Sequence, residues 1–253
     1  MAADPNRVYR RHIDLVSRGD TVHGELADDA QHFRVRLVHD TRRVVEFASE
    51  AVRFPWSTCA DATTALRALE GMELSPRCTA IGAVSDASGQ CTHLFDLAGL
   101  AVAHAATGHS RRTYHCAVRG AGREAHATLD RDGERLLDWR LEGFTIRAEA
   151  PFDRVSLKGS FLAWAEGELD PDLAEAAIVL RRASYISPVR FYELDSFAHA
   201  SDVQPPRGQC YTYTEGIAQR AVRQRGSKRD YTDRPEALLD PLAKAPTSKE
   251  TAS

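Results

Sequence analysis

The chain has 253 residues, 43% of them hydrophobic and 27% charged, a balance that can bury a sizeable core without staples and fits an ordinary globular protein. Its formal charge of −3, from 33 basic and 36 acidic side chains, gives no overall attraction to nucleic acid or to a membrane surface. There is no run of about eighteen apolar residues and no basic-then-apolar leader, so the expectation is a cytoplasmic protein.

Five cysteines, Cys59, Cys78, Cys91, Cys116 and Cys210, are scattered and odd in number. Reduced thiols fit this pattern better than a disulfide scaffold. Arginine far outnumbers lysine, which suits a GC-rich bacterial genome as well as it suits a binding role.

The first sixty residues read as antiparallel strands. Phe33, Val35 and Leu37 alternate with polar residues, residues 44–54 continue in that style, and Asp28-Asp29 and His39-Asp40-Thr41 supply turns. The pattern over 57–70 predicts a helix that Pro55 bars from extending upstream and Gly71 stops, with Cys59 near its start. A Gly-containing loop at 88–90 then leads into a strongly apolar helix from Thr92 to about Thr107, ended by Gly108.

A three-stranded meander follows, turning at 120–122 and at Asp132-Gly133, with Tyr114, Cys116 and Val118 inward on its first strand and Leu137, Trp139 and Leu141 on its third. Asp170-Pro171 announces a helix by an N-cap acid and a first-turn proline, closing near Ser187-Pro188. A last helix is expected over 215–225, ended by Gly226, and residues 241–253 have the composition of a disordered tail. The whole predicts a single α+β domain over residues 1–240, with about four helices packed on antiparallel β-sheets. No Gly-rich phosphate loop, serine elbow, His-Glu-x-x-His or EF-hand pattern occurs.

The candidate chemistry centres on Cys91-Thr92-His93-Leu94. Unpaired N–H groups and the dipole at a helix start stabilise negative charge, so a Cys91 thiolate should form more easily than in free cysteine. Cys91 and His93 could be a nucleophile and its base, or two ligands of zinc or iron. Cys59 at another helix start would be a third ligand. Asp96, three residues after His93, would be a fourth ligand or the orienter of His93. The plain alternative is that Cys59 and Cys91 only pack and His93 caps the helix.

His104 is expected as a hydrogen-bonded core histidine, with His109 and His115 facing solvent. Cys210-Tyr211 reads as a pinned turn or a third thiol ligand. The basic run at 220–234 could hold an anionic group, although a solvated face is its default reading, and Arg181-Arg182 complements a helix C-terminus.

Through Arg53-Phe54-Pro55-Trp56-Ser57-Thr58-Cys59, Leu66-x-x-Leu69-x-Gly71, Gln90-Cys91-Thr92-His93-Leu94 and Gly208-Gln209-Cys210-Tyr211, the chain resembles a bacterial family, domain of unknown function 2889, from about Arg7 to Leu239. The resemblance implies that Cys59, Cys91 and His93 belong to a shared pattern and assigns them no role. Thiols at helix starts beside an antiparallel sheet are also similar to the arrangement of sulfur-transfer and iron–sulfur scaffold proteins, a likeness of arrangement alone.

Three functions are therefore expected in order: an enzyme acting on a small-molecule substrate, a noncatalytic metal, sulfur or cluster carrier using the same residues, and a structural interaction protein. Nucleic acid and membrane partners are not expected, and a homo-oligomer is left open.

Overall fold

Alternation in the first part of the chain becomes four consecutive antiparallel strands in the computed structural model, which describes residues 6–120, 124–204 and 208–238: β1 (Tyr9–Arg18), β2 (Thr21–Asp28), β3 (His32–His39) and β4 (Val44–Arg53). A second meander holds β5 (Arg111–Arg119), β6 (Glu124–Arg131), β7 (Glu134–Glu142) and the short β8 (Thr145–Arg147). The two meanders join through their first strands into one eight-stranded sheet of order β4-β3-β2-β1-β5-β6-β7-β8. The β6–β7 turn places both central residues at positive φ, Asp132 at 53° and Gly133 at 91°, which is the backbone that Asp-Gly favours in two-residue hairpins.

Side chains alternate across this sheet. Tyr9, Ile13, Leu15, Leu26, Phe33, Val35, Tyr114 and Leu129 share the core face, and both long helices pack there. Helix α1 (Thr92–Thr107) crosses β1 to β3, and α3 (Pro171–Ile186) lies over β5 to β7. Gly24 of β2 lets α1 come close, since a Cβ there would stand 2.8 Å from Val35 and 3.2 Å from Leu97. From His93 to His104 α1 is buried around most of its circumference, so its histidines lie in the core. The other face carries His12, Asp14, Glu25, His32, Arg34 and His115, with the His12 and His115 rings 3.8 Å apart.

Several elements differ from expectation. Residues 57–69 form three short 3₁₀ turns in place of one α-helix, at Ser57–Cys59, Asp61–Thr63 and Ala65–Leu69. Threonines in this stretch satisfy carbonyls locally, as Thr63 Oγ1 donates to Ala60 O at 2.8 Å, and such side chains compete with helical geometry. The helix expected over 215–225 is a run of turns, because Gly216 has φ of +80° and Val222 and Arg223 form bridges to His199 and Trp56. Two helices were not foreseen, α2 (Phe161–Glu168) and the one-turn α4 (Ala200–Val203). The Asp170 cap holds as expected, its side chain accepting from the backbone of Asp172 and Leu173. The expected tail at 241–253 lies outside the described residues, as does part of the turn at 120–122. Among the described residues no helix is long and apolar enough to cross a membrane.

Candidate functional site

The β2–β3 connection carries two adjacent carboxylates, and the first is the hub of the buried polar structure. Asp28 is fully buried, and its Oδ1 accepts from the backbone N–H groups of Ala30 and Gln31, both at 2.9 Å. Its Oδ2 accepts from Tyr9 Oη at 2.7 Å and from the Arg11 guanidinium at 2.8 Å, and His93 Nε2 stands 3.3 Å away. Burial alone would raise the Asp28 pKa, but His93 and the Arg11 charge outweigh it and hold the carboxyl well below the usual range. For His93 burial wins over the attraction of Asp28, so its pKa is lowered and the ring is neutral at neutral pH. A carboxylate facing Nε2 favours the proton on that nitrogen and leaves the lone pair on Nδ1.

Beside this pair lies a cavity of about 520 Å³. Its walls are the 3₁₀ turn at Ser57–Cys59, the start of α1, the end of α3 and the segment at 209–213, and they bring together Cys59, Cys91, His93 and Cys210. Trp56, Tyr185, Tyr192 and Tyr213 supply aromatic lining. The last segment is pinned from both sides: Tyr211 N–H donates to Gln90 O at 2.9 Å, and Thr212 Oγ1 lies 3.0 Å from Thr58 Oγ1 and 3.5 Å from Cys59 Sγ. Cys210 is thus drawn beside two thiols from more than a hundred residues earlier, and the buried anchor of the segment is Thr212, whereas Cys210 and Tyr211 are only half-buried.

The thiols themselves differ from expectation. Burial pushes the Cys91 pKa well above its ordinary value, although the N–H groups of Leu94 and His93 pull the other way. The helix start acts as anticipated but is weaker than the loss of water around a cysteine that is only 8% exposed. Burial likewise raises Cys59 to about 12, and it raises Cys210. All three are resting thiols.

Asp96 is engaged by a partner other than His93. It forms a two-pronged pair with Arg182 of α3, with Oδ2 2.6 Å from Nε and Oδ1 3.1 Å from the second nitrogen. The role foreseen for it as the orienter of His93 is filled by Asp28. Arg182 lines the cavity just described and a second one of about 610 Å³ on its other side, so the Arg182–Asp96 pair forms part of the wall between them. Among the described residues no group of three or more His, Cys, Asp or Glu is placed to hold a metal ion. His104 is buried as expected, but among the described residues neither ring nitrogen has a hydrogen-bond partner, and burial lowers its pKa to about 4.

Residues 12–107 match the family described as protein of unknown function (DUF2889). The DUF2889 match runs from β1 through α1 and takes in Asp28, Cys59, Cys91, His93 and Asp96. It supports the resemblance read from the motifs, while Gly208-Gln209-Cys210-Tyr211 and Arg182 lie beyond it. No curated protein matches the chain.

The sequence places Asp28 in a turn and Arg182 at a helix end, and it marks neither as a site residue. Asp28-Asp29 between two alternating strands has the signal of a turn, which it also is, and nothing local marks the first carboxyl as buried.

The second carboxyl behaves oppositely. Asp29 is fully buried, with Oδ1 accepting from Arg10 N–H at 3.3 Å and Oδ2 without a partner among the described residues. Burial and the neighbouring Asp28 charge push its pKa up to about 7. A raised acid pKa favours the fold fully below the unfolded value of about 4 and loses that contribution as pH rises through about 7. Asp29→Asn is therefore expected to stabilise the protein more at pH 8 than at pH 5, measured by denaturant midpoints; equal shifts at both pH values would refute the assignment.

Proposed function

We propose that the protein is an enzyme acting on a small organic molecule held in the 520 Å³ cavity, with His93 as the group that accepts and returns a proton. One observation carries this reading: a neutral, buried histidine on the wall of a largely apolar, aromatic-lined cavity, backed at 3.3 Å by an ionised carboxylate. Asp28 faces Nε2 at 3.3 Å and would stabilise the imidazolium that forms when Nδ1 takes a proton, and exclusion of water strengthens that interaction. Cys91, protonated at rest, becomes a nucleophile only by giving its proton to such a base. In this reading Asp28 and Arg11 are positioning residues, and Arg182 is the cation nearest a polar group of the substrate.

A small aromatic ester, p-nitrophenyl acetate, tests it. The acyl carbon bonds to water oxygen or to Cys91 Sγ, the ester C–O bond breaks, p-nitrophenolate leaves, and the nucleophile's proton passes to His93. In His93→Ala, with its fold checked, kcat/KM is expected to fall by about 100-fold or more. Acetyl on Cys91 would assign the thiol as nucleophile, and turnover that persists in Cys91→Ala would assign water. Hydrolysis equally fast with and without His93 would overturn the proposal.

A second reading, a carrier of zinc or iron on Cys59, Cys91 and His93, draws on the thiols that share one cavity with His93. It is the weaker, since among the described residues no three His, Cys, Asp or Glu are placed to hold one metal ion and Asp96 is engaged by Arg182. Near-stoichiometric metal in protein prepared without chelator, lost in both Cys59→Ala and Cys91→Ala, would favour it instead.

A further inference from the structure

The segment that follows the turns at 215–220 crosses to the polar face of the sheet. Arg229 N–H donates to Asp29 O at 2.7 Å, Val8 N–H donates to Thr232 Oγ1 at 3.0 Å, and Arg7 pairs with Asp230 at 3.0 Å. Tyr231 and Leu238 pack on Ala27, which β2 presents on that face. Between this segment and the β3–β4 end of the sheet lies a cavity of about 740 Å³ that shares no lining residue with the His93 cavity.

The lining is cationic. Arg34 and His32 rise from β3, Arg53 ends β4, and Arg225 and Arg229 come from the crossing segment, with Glu236 opposite. Arg53 directs both terminal nitrogens of its guanidinium to the carbonyls of Asp28, Asp29, Gln31 and Ser227, so it adds charge while most of its donors are already engaged. Arg34 and His32 both donate to the buried Glu25 beneath, and Glu50 reaches Arg34 only at 3.7 Å from solvent. Arg225 and Arg229 are exposed, and among the described residues neither has a carboxylate partner.

Four guanidiniums thus face three carboxylates, Glu25, Glu50 and Glu236, leaving a surplus of one positive charge, on the side of Arg225 and Arg229. Two of the four keep their donors free, and planar guanidiniums bind phosphate oxygens in pairs. Phe54 and Tyr231 line the same cavity and offer apolar contact to an organic group. The basic run at 220–234 therefore does more than solvate a surface: Arg225 and Arg229 line an open, cationic recess together with residues nearly two hundred positions away. We propose that this recess binds a small phosphate dianion, either free or carried on an organic ester.

Isothermal titration of the full-length protein with inorganic phosphate, glucose 6-phosphate and glucose, at low ionic strength, tests this. Saturable binding of one or both phosphates is expected, weakening with added salt, with none of glucose. Tighter binding of glucose 6-phosphate assigns an ester and equal binding assigns the free anion. Arg225→Ala combined with Arg229→Ala, both exposed and remote from the core, is expected to weaken binding by at least about tenfold while the denaturant midpoint stays unchanged. Absence of saturable binding, or affinity unchanged in the double variant, would overturn the proposal. Neither outcome bears on the His93 cavity, so the two sites are tested separately.

Discussion

Asp28→Asn is expected to destabilise the protein by about 3–5 kcal/mol, the cost of removing one partner from a buried ion pair and leaving the other charge uncompensated. Arg11, whose side chain is 1% exposed, would keep its charge with no anion to face. The effect has a defined pH dependence. A carboxyl whose pKa is depressed by folding stabilises the fold above its unfolded value of about 4, and loses that contribution as pH falls below it. The gap between wild type and variant, read from denaturant midpoints, should be largest near neutral pH and shrink in acid; a gap independent of pH would mean that the charge of Asp28 is not what matters. Because Asp28 raises the His93 pKa against burial, the His93 ring in the variant should titrate lower still, which NMR can follow. Should Asp28→Asn fail to fold, Tyr9→Phe removes the hydroxyl that donates to Asp28 and accepts from Arg11 Nε, and is expected to cost about 1–3 kcal/mol.

Gly99→Ala is expected to be the second large effect, at about 2–3 kcal/mol net. Alanine ordinarily improves a helix by up to about 1 kcal/mol over glycine, so a loss here has the opposite sign to propensity. The reason is contact: a Cβ on Gly99 would stand 2.0 Å from the carbonyl oxygen of Cys78 and 3.5 Å from Ile81. The obstacle is backbone, which cannot swing aside as a side chain can. Either α1 or the segment before it must shift, and that segment also lines the 610 Å³ cavity beside Arg182. A thermal midpoint at or above wild type would show that the segment yields without cost.

These two positions also show what was legible in the sequence. Strand alternation, the Asp132-Gly133 hairpin, the Asp170-Pro171 start and the Gly108 stop are local signals, and each places its element where it is observed. Cys59, Cys91, His93 and Cys210 line one cavity, the last of them from a segment whose sequence reads as a turn. The chemical state of the thiols was not legible, because it depends on how much water the rest of the chain removes. The same holds for the partner of His93. Asp96 is near it in sequence, whereas Asp28 reaches it through the stacking of α1 on β1 to β3, which no spacing encodes. The missed helix α2 is short and apolar, and its Phe161 and Trp164 pack into an aromatic cluster with Trp139 and Phe152 that only the tertiary fold assembles.

β1 sits inside the eight-stranded order, bonded to β2 on one side and, from Tyr9 to Val16, to β5 on the other. The DUF2889 match ends at residue 107, before β5 begins at Arg111. A chain cut at that boundary would keep Asp28, Cys59, Cys91 and His93, yet it would leave one flank of β1 as a bare row of N–H and C=O groups, an open template for pairing with other chains. The stretch recognisable by its residues is thus smaller than the stretch that can close its own ladder, and the second meander acts as a shield against aggregation for the half that carries the histidine and two of the cavity's thiols.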